Sequence, residues 1–408
     1  MSASAPSTIK PPAFPEFVAL AAAIMAMMAL AIDAILPALP MIGRDFQISD
    51  HNQLHAVIGA FFMGAGVGQL AFGPLSDWLG RRYVLLWGIG IYVVLSLMAS
   101  LADHMALLIV LRFAQGLVAA CASVISRAIV RDFYSGDRMA KVMSIVQMVF
   151  LAVPALAPAF GQLILLIAPW RFIFVSLAIY ASLLLVWALF RLPETLPAEK
   201  RRKPDIGHIR RTTIALLTNR VSLTYTLAST TIISMLLVYL SLMPQVFDEI
   251  YGHPQWLAPV FATCVVVMSL CALINSRIVE KLGARRVSHL AQLCMLGFGL
   301  LHVLIASLIR EPVWLFALLQ ALTLGCMSLS TSNFMSIAME DFGHVAGTAA
   351  SVQGFITMMG GSLFGGYISG FWNGQLWLMP LSVVICSGLA MLIIAIGEKG
   401  RLFQRRQP

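Results

Sequence analysis

Apolar residues run along the chain in long unbroken stretches separated by short polar turns. A helix that crosses the hydrocarbon of a bilayer needs about 20 mostly apolar residues. Twelve stretches are of that kind, at 17–39, 53–75, 83–102, 105–130, 140–167, 171–192, 217–246, 255–279, 287–309, 312–338, 344–370 and 375–396. None alternates with a period of two and each is longer than a barrel strand, so the pattern predicts helices. The expected fold class is an all-α membrane protein of twelve transmembrane helices. The longest polar segment separates six stretches from six. The expected organisation is a tail (1–16), a first six-helix half (17–192), a linker (193–216), a second six-helix half (217–396) and a tail (397–408). The first stretch is longer than the core of a signal peptide and carries Asp33, so it reads as a retained helix.

Composition sharpens the picture. Of 408 residues, 60% are hydrophobic and 11% charged, where soluble domains carry about 25% charge. That excludes a soluble enzyme, a disordered chain and a disulfide scaffold. The net charge of +9 would suggest nucleic acid in a soluble protein, but here the bases sit in short loops, so no nucleic-acid partner is expected. If the loops alternate sides, 22 of the 27 bases fall on the side of the termini. Arg44, Arg171 and Arg310 fall on the other side, and Arg112 and Arg127 lie within the fourth stretch. By the positive-inside rule both termini are cytoplasmic. The charged run Glu199 to Lys203 reads as a solvated cytoplasmic linker or, less commonly, as a lipid-binding polybasic segment. Cys121, Cys264, Cys271, Cys294, Cys326 and Cys386 all lie in apolar stretches without a CxxC pair and read as small buried hydrophobes. No metal or cofactor is expected, and no GxxxxGK[ST] loop is present to bind ATP.

One loop occurs twice. Asp77-Trp78-Leu79-Gly80-Arg81-Arg82 follows the second stretch, and Glu280-Lys281-Leu282-Gly283-Ala284-Arg285 follows the eighth, at an offset of 203. Gln147 and Gln353 are a weaker echo. Two related halves with a site near the midplane between them are a transporter architecture. In this loop Gly80 supplies an unusual backbone, Asp77 can meet a helix N-terminus or Arg131 or Arg138, and Arg81 and Arg82 anchor the third helix. The loop either fixes topology or is a latch that breaks and reforms as the halves rock.

Two ionisable residues lie deep in apolar stretches, Asp33 and Arg112, and such residues are functional by default. Each lies roughly 10 Å from the same end of its helix at about 1.5 Å per residue, so a pair between them, direct or through water, is expected. Arg112 stays charged while Asp33 can gain or lose a proton, which is a basis for proton coupling. The other reading is a permanent ion pair that joins helices. His302, with no acid close in sequence, reads as a neutral packing or hydrogen-bonding residue. Pro154 and Pro158, with small residues up to Gly161, either bend the fifth helix or let it pack closely. Gln115, Gln147, Tyr239 and Gln320 are polar groups that could line a cavity.

These segments resemble a known family. Gly73-Pro74-Leu75-Ser76-Asp77-Trp78-Leu79-Gly80-Arg81-Arg82 is similar to the signature between helices two and three of the major facilitator superfamily, with Trp78 where a base is usual. Leu111 to Gly116 resembles the helix-four motif whose arginine is linked to proton transfer. Pro154 to Gly161 resembles the helix-five antiporter motif, with Ala157 in place of glycine. Ala31 to Pro40, and Gly343 to Ser351, resemble segments of the Bcr/CflA drug:proton antiporters. The resemblance spans nearly the whole chain. It implies a major facilitator fold, alternating access and proton antiport. Asp33 and Arg112 would act in coupling, and Gly73, Asp77, Gly80, Arg81 and Arg82 in gating. Pro154, Pro158 and Gly161 would form the helix-five motif. Asp33, Gln115, Gln147, Tyr239 and Gln320 are candidate substrate contacts.

The expectation is a monomeric exporter of the bacterial inner membrane whose partners are lipid, protons and small, partly apolar drugs such as phenicols or bicyclomycin-like compounds. The alternative is a proton-coupled exporter of an amino acid, peptide or sugar-like metabolite. With no nucleophile–base pair in the spans, an enzyme is not expected.

Overall fold

The computed structural model describes residues 12–48, 51–134 and 136–403. Among the described residues every regular element is helical. The long helices are α1 (Phe14–Asp33), α2 (His51–Leu79), α3 (Arg81–Ser100), α4 (Met105–Phe133), α5 (Gly136–Ile167), α6 (Arg171–Arg191), α7 (Arg220–Gln245), α8 (Leu257–Leu282), α9 (Ala284–Leu308), α10 (Val313–Ala338), α11 (Ala346–Ser369) and α12 (Leu378–Gly397). Ten described stretches are long and apolar enough to cross a membrane. Of the other two helices, α5 contributes the shorter apolar stretch Ala152–Ile167, and α11 is diluted by glycine, serine and threonine.

Two boundaries differ from expectation. The first helix ends at Asp33 rather than near residue 39, and continues as a 3-10 turn (Leu36–Ala38) and a short helix (Leu39–Asp45). Pro37 has no N–H to give the carbonyl of Asp33, which breaks the ladder there. The segment before α7 holds a separate helix, Ile206–Thr218, capped by Asp205, whose Oδ1 accepts from the His208 N–H at 3.0 Å. Asn219 then caps α7 by accepting from the Ser222 N–H.

Packing repeats along the chain. In the first six helices α1 packs on α4, α5 and α6, α2 on α4, and α3 on α4 and α6. The same pairs recur six helices later: α7 on α10, α11 and α12, α8 on α10, and α9 on α10 and α12. The most extensive contacts that cross between the two sets are α2 with α11 and α5 with α8, which also exchange under that relation; α2 and the segment after α1 also touch α7. The most apolar stretches of α1 and α7 are each 78% buried, against 28% for α9. Hence α1 and α7 are central. The outward faces of α3, α6 and α9 carry exposed Trp87, Val94, Leu183, Phe190, Leu300 and Leu304, as lipid contact requires.

Small residues set the closest approaches. A Cβ on Gly64 or Gly116 would fall 1.9 Å from the carbonyl oxygen of Phe113 or Phe61 respectively, so α2 and α4 touch backbone to backbone. In the two related loops Gly80 has φ +106° and Gly283 φ +85°. Both are in the region open to glycine, as the repeated loop led one to expect.

Candidate transport site

Asp33 is the last residue of α1 and is 5% exposed. It sits where the helix breaks, and its side chain has no ion pair or hydrogen bond among the described residues. The segment after it packs on α7, and Tyr239 of α7, stacked at a tilt on Phe261 with centroids 5.8 Å apart, lies within electrostatic reach of the Asp33 carboxyl. Helix α5 crosses directly above: a Cβ on Gly161 would fall 2.1 Å from the Ala34 carbonyl oxygen. Gly161 therefore serves close packing of α5 on α1. Pro154 and Pro158 lie within an α5 that continues from Gly136 to Ile167.

Arg112 does not meet Asp33, contrary to the expected pair. It is wholly buried and points between α2 and α3. Its Nε donates to the Val57 carbonyl at 3.4 Å and its Nη1 to Gln115 Oε1 at 3.1 Å. The guanidinium lies 4.4 Å over the Phe61 ring, a cation–π contact. Gln115 Nε2 donates in turn to Ser96 Oγ at 2.9 Å. Residue spacing gave the depth of Arg112 but not the rotation of α4, and the rotation is set by Gly64 and Gly116 drawing α4 onto α2. Gln115, expected to line a cavity, is instead a fully buried ligand of Arg112. Gln320 is buried with its Nε2 unpartnered among the described residues. The side chain of Gln147 lies outside the described residues.

The face that carries the termini holds two buried arginines. Arg81 is 6% exposed. It pairs with Asp77 at 2.5 Å and Asp132 at 3.4 Å and donates to Ser76 Oγ at 2.7 Å. Asp77 was expected to meet a helix N-terminus or a nearby arginine such as Arg131 or Arg138; the arginine it meets is Arg81, which was expected to anchor the third helix. The turn at Gly80 instead folds Arg81 back over the last turn of α2, four residues from Asp77. Arg82 does anchor, donating to the Leu189 carbonyl at 2.7 Å. The linker was expected to be solvated, but its first part docks here. Glu194 Oε1 accepts from the N–H groups of Arg81, Thr195 and Leu196, and the Arg202 N–H donates to the Asp77 carbonyl at 3.0 Å. Gly73 approaches Ser351 of α11.

In the second loop Arg285 holds Glu340 and Glu398, each at 2.8 Å, and the Tyr225 hydroxyl donates to Glu398 at 2.9 Å. Burial would raise the Glu398 carboxyl, but the bonds from Arg285 and Tyr225 outweigh it and hold it below its ordinary 4.5. A depressed carboxyl stabilises the fold above its unfolded value and loses that contribution as pH falls through the folded one. Acidifying below about pH 4.5 is therefore expected to lower the melting temperature. Glu398→Gln is expected to cost on the order of 1 kcal/mol at neutral pH and to flatten the acid fall; melting curves of the two proteins check it.

On the opposite, distal face the two helix sets are joined. Arg44 pairs with Asp248 at 2.6 Å, and Gln162 Nε2 donates to the Pro254 carbonyl at 2.7 Å. His302, expected to be a packing or hydrogen-bonding residue, is hydrogen-bonded: Glu311, nine positions on, turns inward to meet it at 2.9 Å. All six cysteines are free. Cys294 is exposed on α9, unlike the buried setting expected for it.

Residues 20–366 match the sequence profile described as Major Facilitator Superfamily. A protein of Escherichia coli O81 described as multidrug resistance protein MdtL is 30% identical over 374 residues, covering 91% of this chain and 92% of that one. A bicyclomycin resistance protein homolog of Haemophilus influenzae is 29% identical over 339 residues, covering 83% and 85%. Among solved structures, a peptide transporter POT in complex with sulfate superposes with TM-score 0.76 at 13% identity over 96% of both chains.

Proposed function

From the premise that the chain belongs to the Major Facilitator Superfamily, which makes it a multi-pass membrane transporter and not an enzyme, we propose that it is a proton-driven antiporter. It exports small, partly apolar drugs across the bacterial inner membrane by alternating access, with both termini cytoplasmic. The relatives described as multidrug and bicyclomycin resistance proteins support the substrate class. The observation that carries the reading is Asp33, a buried carboxyl without a partner among the described residues, at the break of a central helix and beside the other central helix. Burying an isolated carboxylate costs far more than burying the neutral acid. Closing the protein around Asp33 and binding a proton there thus go together, and substrate that enters the same space competes with the closed, protonated state.

Arg112 serves the cycle by holding α2, α3 and α4 as one body beside Asp33, and not by pairing with it. The Asp77–Arg81–Asp132 cluster with the docked linker, and the Arg285–Glu340–Glu398 cluster, are the latches on the cytoplasmic face. Arg44–Asp248 closes the distal face. Gly161 and the two prolines keep α5 tight on α1 during rocking, and Tyr239 and Gln320 are the contacts offered to substrate.

The test is uptake into everted vesicles energised by a pH gradient. The expected outcome is accumulation of a phenicol that collapses when a protonophore is added. If no drug in a broad panel accumulates while an amino acid, peptide or sugar does, the exporter of a metabolite replaces this reading.

A further inference from the structure

The second set of helices has a buried titratable pair that the exchange through Asp33 does not use. His302 of α9 is 1% exposed and Glu311, in the turn before α10, is 3% exposed; their side chains meet at 2.9 Å through Nε2 and Oε2. The other oxygen of Glu311 is buried and has no partner among the described residues. The walls are aromatic. Phe316 meets the His302 ring edge-on, with centroids 5.7 Å apart, and packs against Tyr251 and Phe247 at 5.8 and 5.9 Å.

The pair is connected to the distal contact between the two helix sets. Phe247 belongs to the single π-helical turn Val246–Ile250 that ends α7. The next residue in that turn, Asp248, is the one that binds Arg44. A chain of touching groups thus runs from Glu311 through His302, Phe316 and Phe247 to the Arg44–Asp248 bridge.

We propose that His302 and Glu311 form a second proton-binding site, and that the proton bound there keeps the distal face closed. With one proton the pair is electrically neutral, as either imidazolium and carboxylate or imidazole and carboxylic acid. Without it a net negative charge remains among aromatic rings, with one oxygen lacking a donor, and such a burial is strongly unfavourable. Loss of the proton to water therefore drives Glu311 outward. The turn before α10 moves with it, Phe316 leaves its ring contacts, and the π turn carrying Asp248 relaxes from Arg44. The remaining charged and titratable groups at this end do not replace the proton. Arg310 is exposed beside Glu311, and the Tyr251 hydroxyl is buried and unpartnered among the described residues. Asp248 is engaged with Arg44, Glu249 accepts from Trp372 Nε1, and His253 lies in the exposed loop beyond. Helices α8 and α12 bring no charged side chain to this end.

The test uses the whole protein in nanodiscs, where both faces see one buffer, so the result does not depend on the direction of transport, and Glu311→Gln separates this pair from Asp33. Spin labels are placed at Met41→Cys and Trp256→Cys, both exposed and on opposite helix sets, with the exposed Cys294→Ser. Between about pH 5 and pH 9, the range in which imidazoles exchange protons, the wild-type background is expected to gain a long-distance population several-fold. Glu311→Gln, neutral at every pH, is expected to stay short throughout. A wild-type distance distribution that does not change with pH overturns the proposal without any variant. So does a Glu311→Gln protein that follows the wild-type pH dependence.

Discussion

Asp33→Asn is expected to leave a folded protein that binds drug more weakly and no longer concentrates it. Asparagine fills nearly the same volume as the acid and is neutral at every pH. It mimics the protonated side chain in shape, so α1 should still pack on α5 and α7. It cannot release a proton, so substrate entry is no longer linked to proton exit. Gradient-driven accumulation in vesicles should fall at least about 100-fold, the loss expected when a coupling of roughly 3 kcal/mol is removed. Downhill exchange of labelled for unlabelled drug should persist. A mutant that loses exchange as well as accumulation has lost its fold or its binding site, and melting temperature and drug affinity distinguish these. The corresponding Arg112→Gln protein should fail differently. Without the cation over Phe61 and its bonds to Val57 and Gln115, α2 and α4 lose part of their cement, so stability should fall together with transport.

Gly116→Val is expected to give the largest structural loss. Its Cβ would begin 1.9 Å from the Phe61 carbonyl oxygen, a backbone atom that cannot rotate away. Helices α2 and α4 must separate by more than an ångström, and Arg112 loses Val57 and Phe61 with them. Overpacking of this kind costs about 1–3 kcal/mol in soluble cores. Here the obstacle is backbone, and a buried charge loses partners as well, so about 3 kcal/mol or more is expected. Yield of folded protein and melting temperature in detergent measure it. Gly366→Val, at a position with no atom near its Cβ, is the matched control and should be close to wild type.

The two results bear on what can be read from sequence. The long helices were legible because hydrocarbon leaves a backbone few ways to satisfy its hydrogen bonds, and ten of the described stretches are long and apolar enough to cross it. The positive φ of Gly80 and Gly283 was legible because a short loop repeated at a fixed offset, with glycine at the same place, signals backbone geometry rather than side-chain chemistry. The break after Asp33 was not foreseen, although Pro37 marks it. An apolar count passes over a proline, whereas the missing N–H at that residue does not.

What stayed hidden concerns rotation about helix axes and the folding of turns. Asp33 and Arg112 were placed at similar depth, and depth is all that a rise per residue supplies. Their side chains point to different neighbours because contacts such as Gly116 on Phe61 fix the azimuth of each helix. Glu311 was counted as a loop residue. Only the turn into α10 brings it back onto His302, and no periodicity reports such a turn. The docking of Glu194 and Arg202 on the Gly80 loop was hidden for a similar reason: a charged segment looks solvated until the buried amides it satisfies are known.

The most direct test of the account is proton counting. Drug is added to everted vesicles containing the wild type or Asp33→Asn, and proton release is followed with a pH-sensitive dye. The account expects release on addition of a phenicol to the wild type and none from Asp33→Asn, at drug concentrations that saturate both. Equal release from both proteins would contradict it, because the exchanged proton would then have to reside on another group.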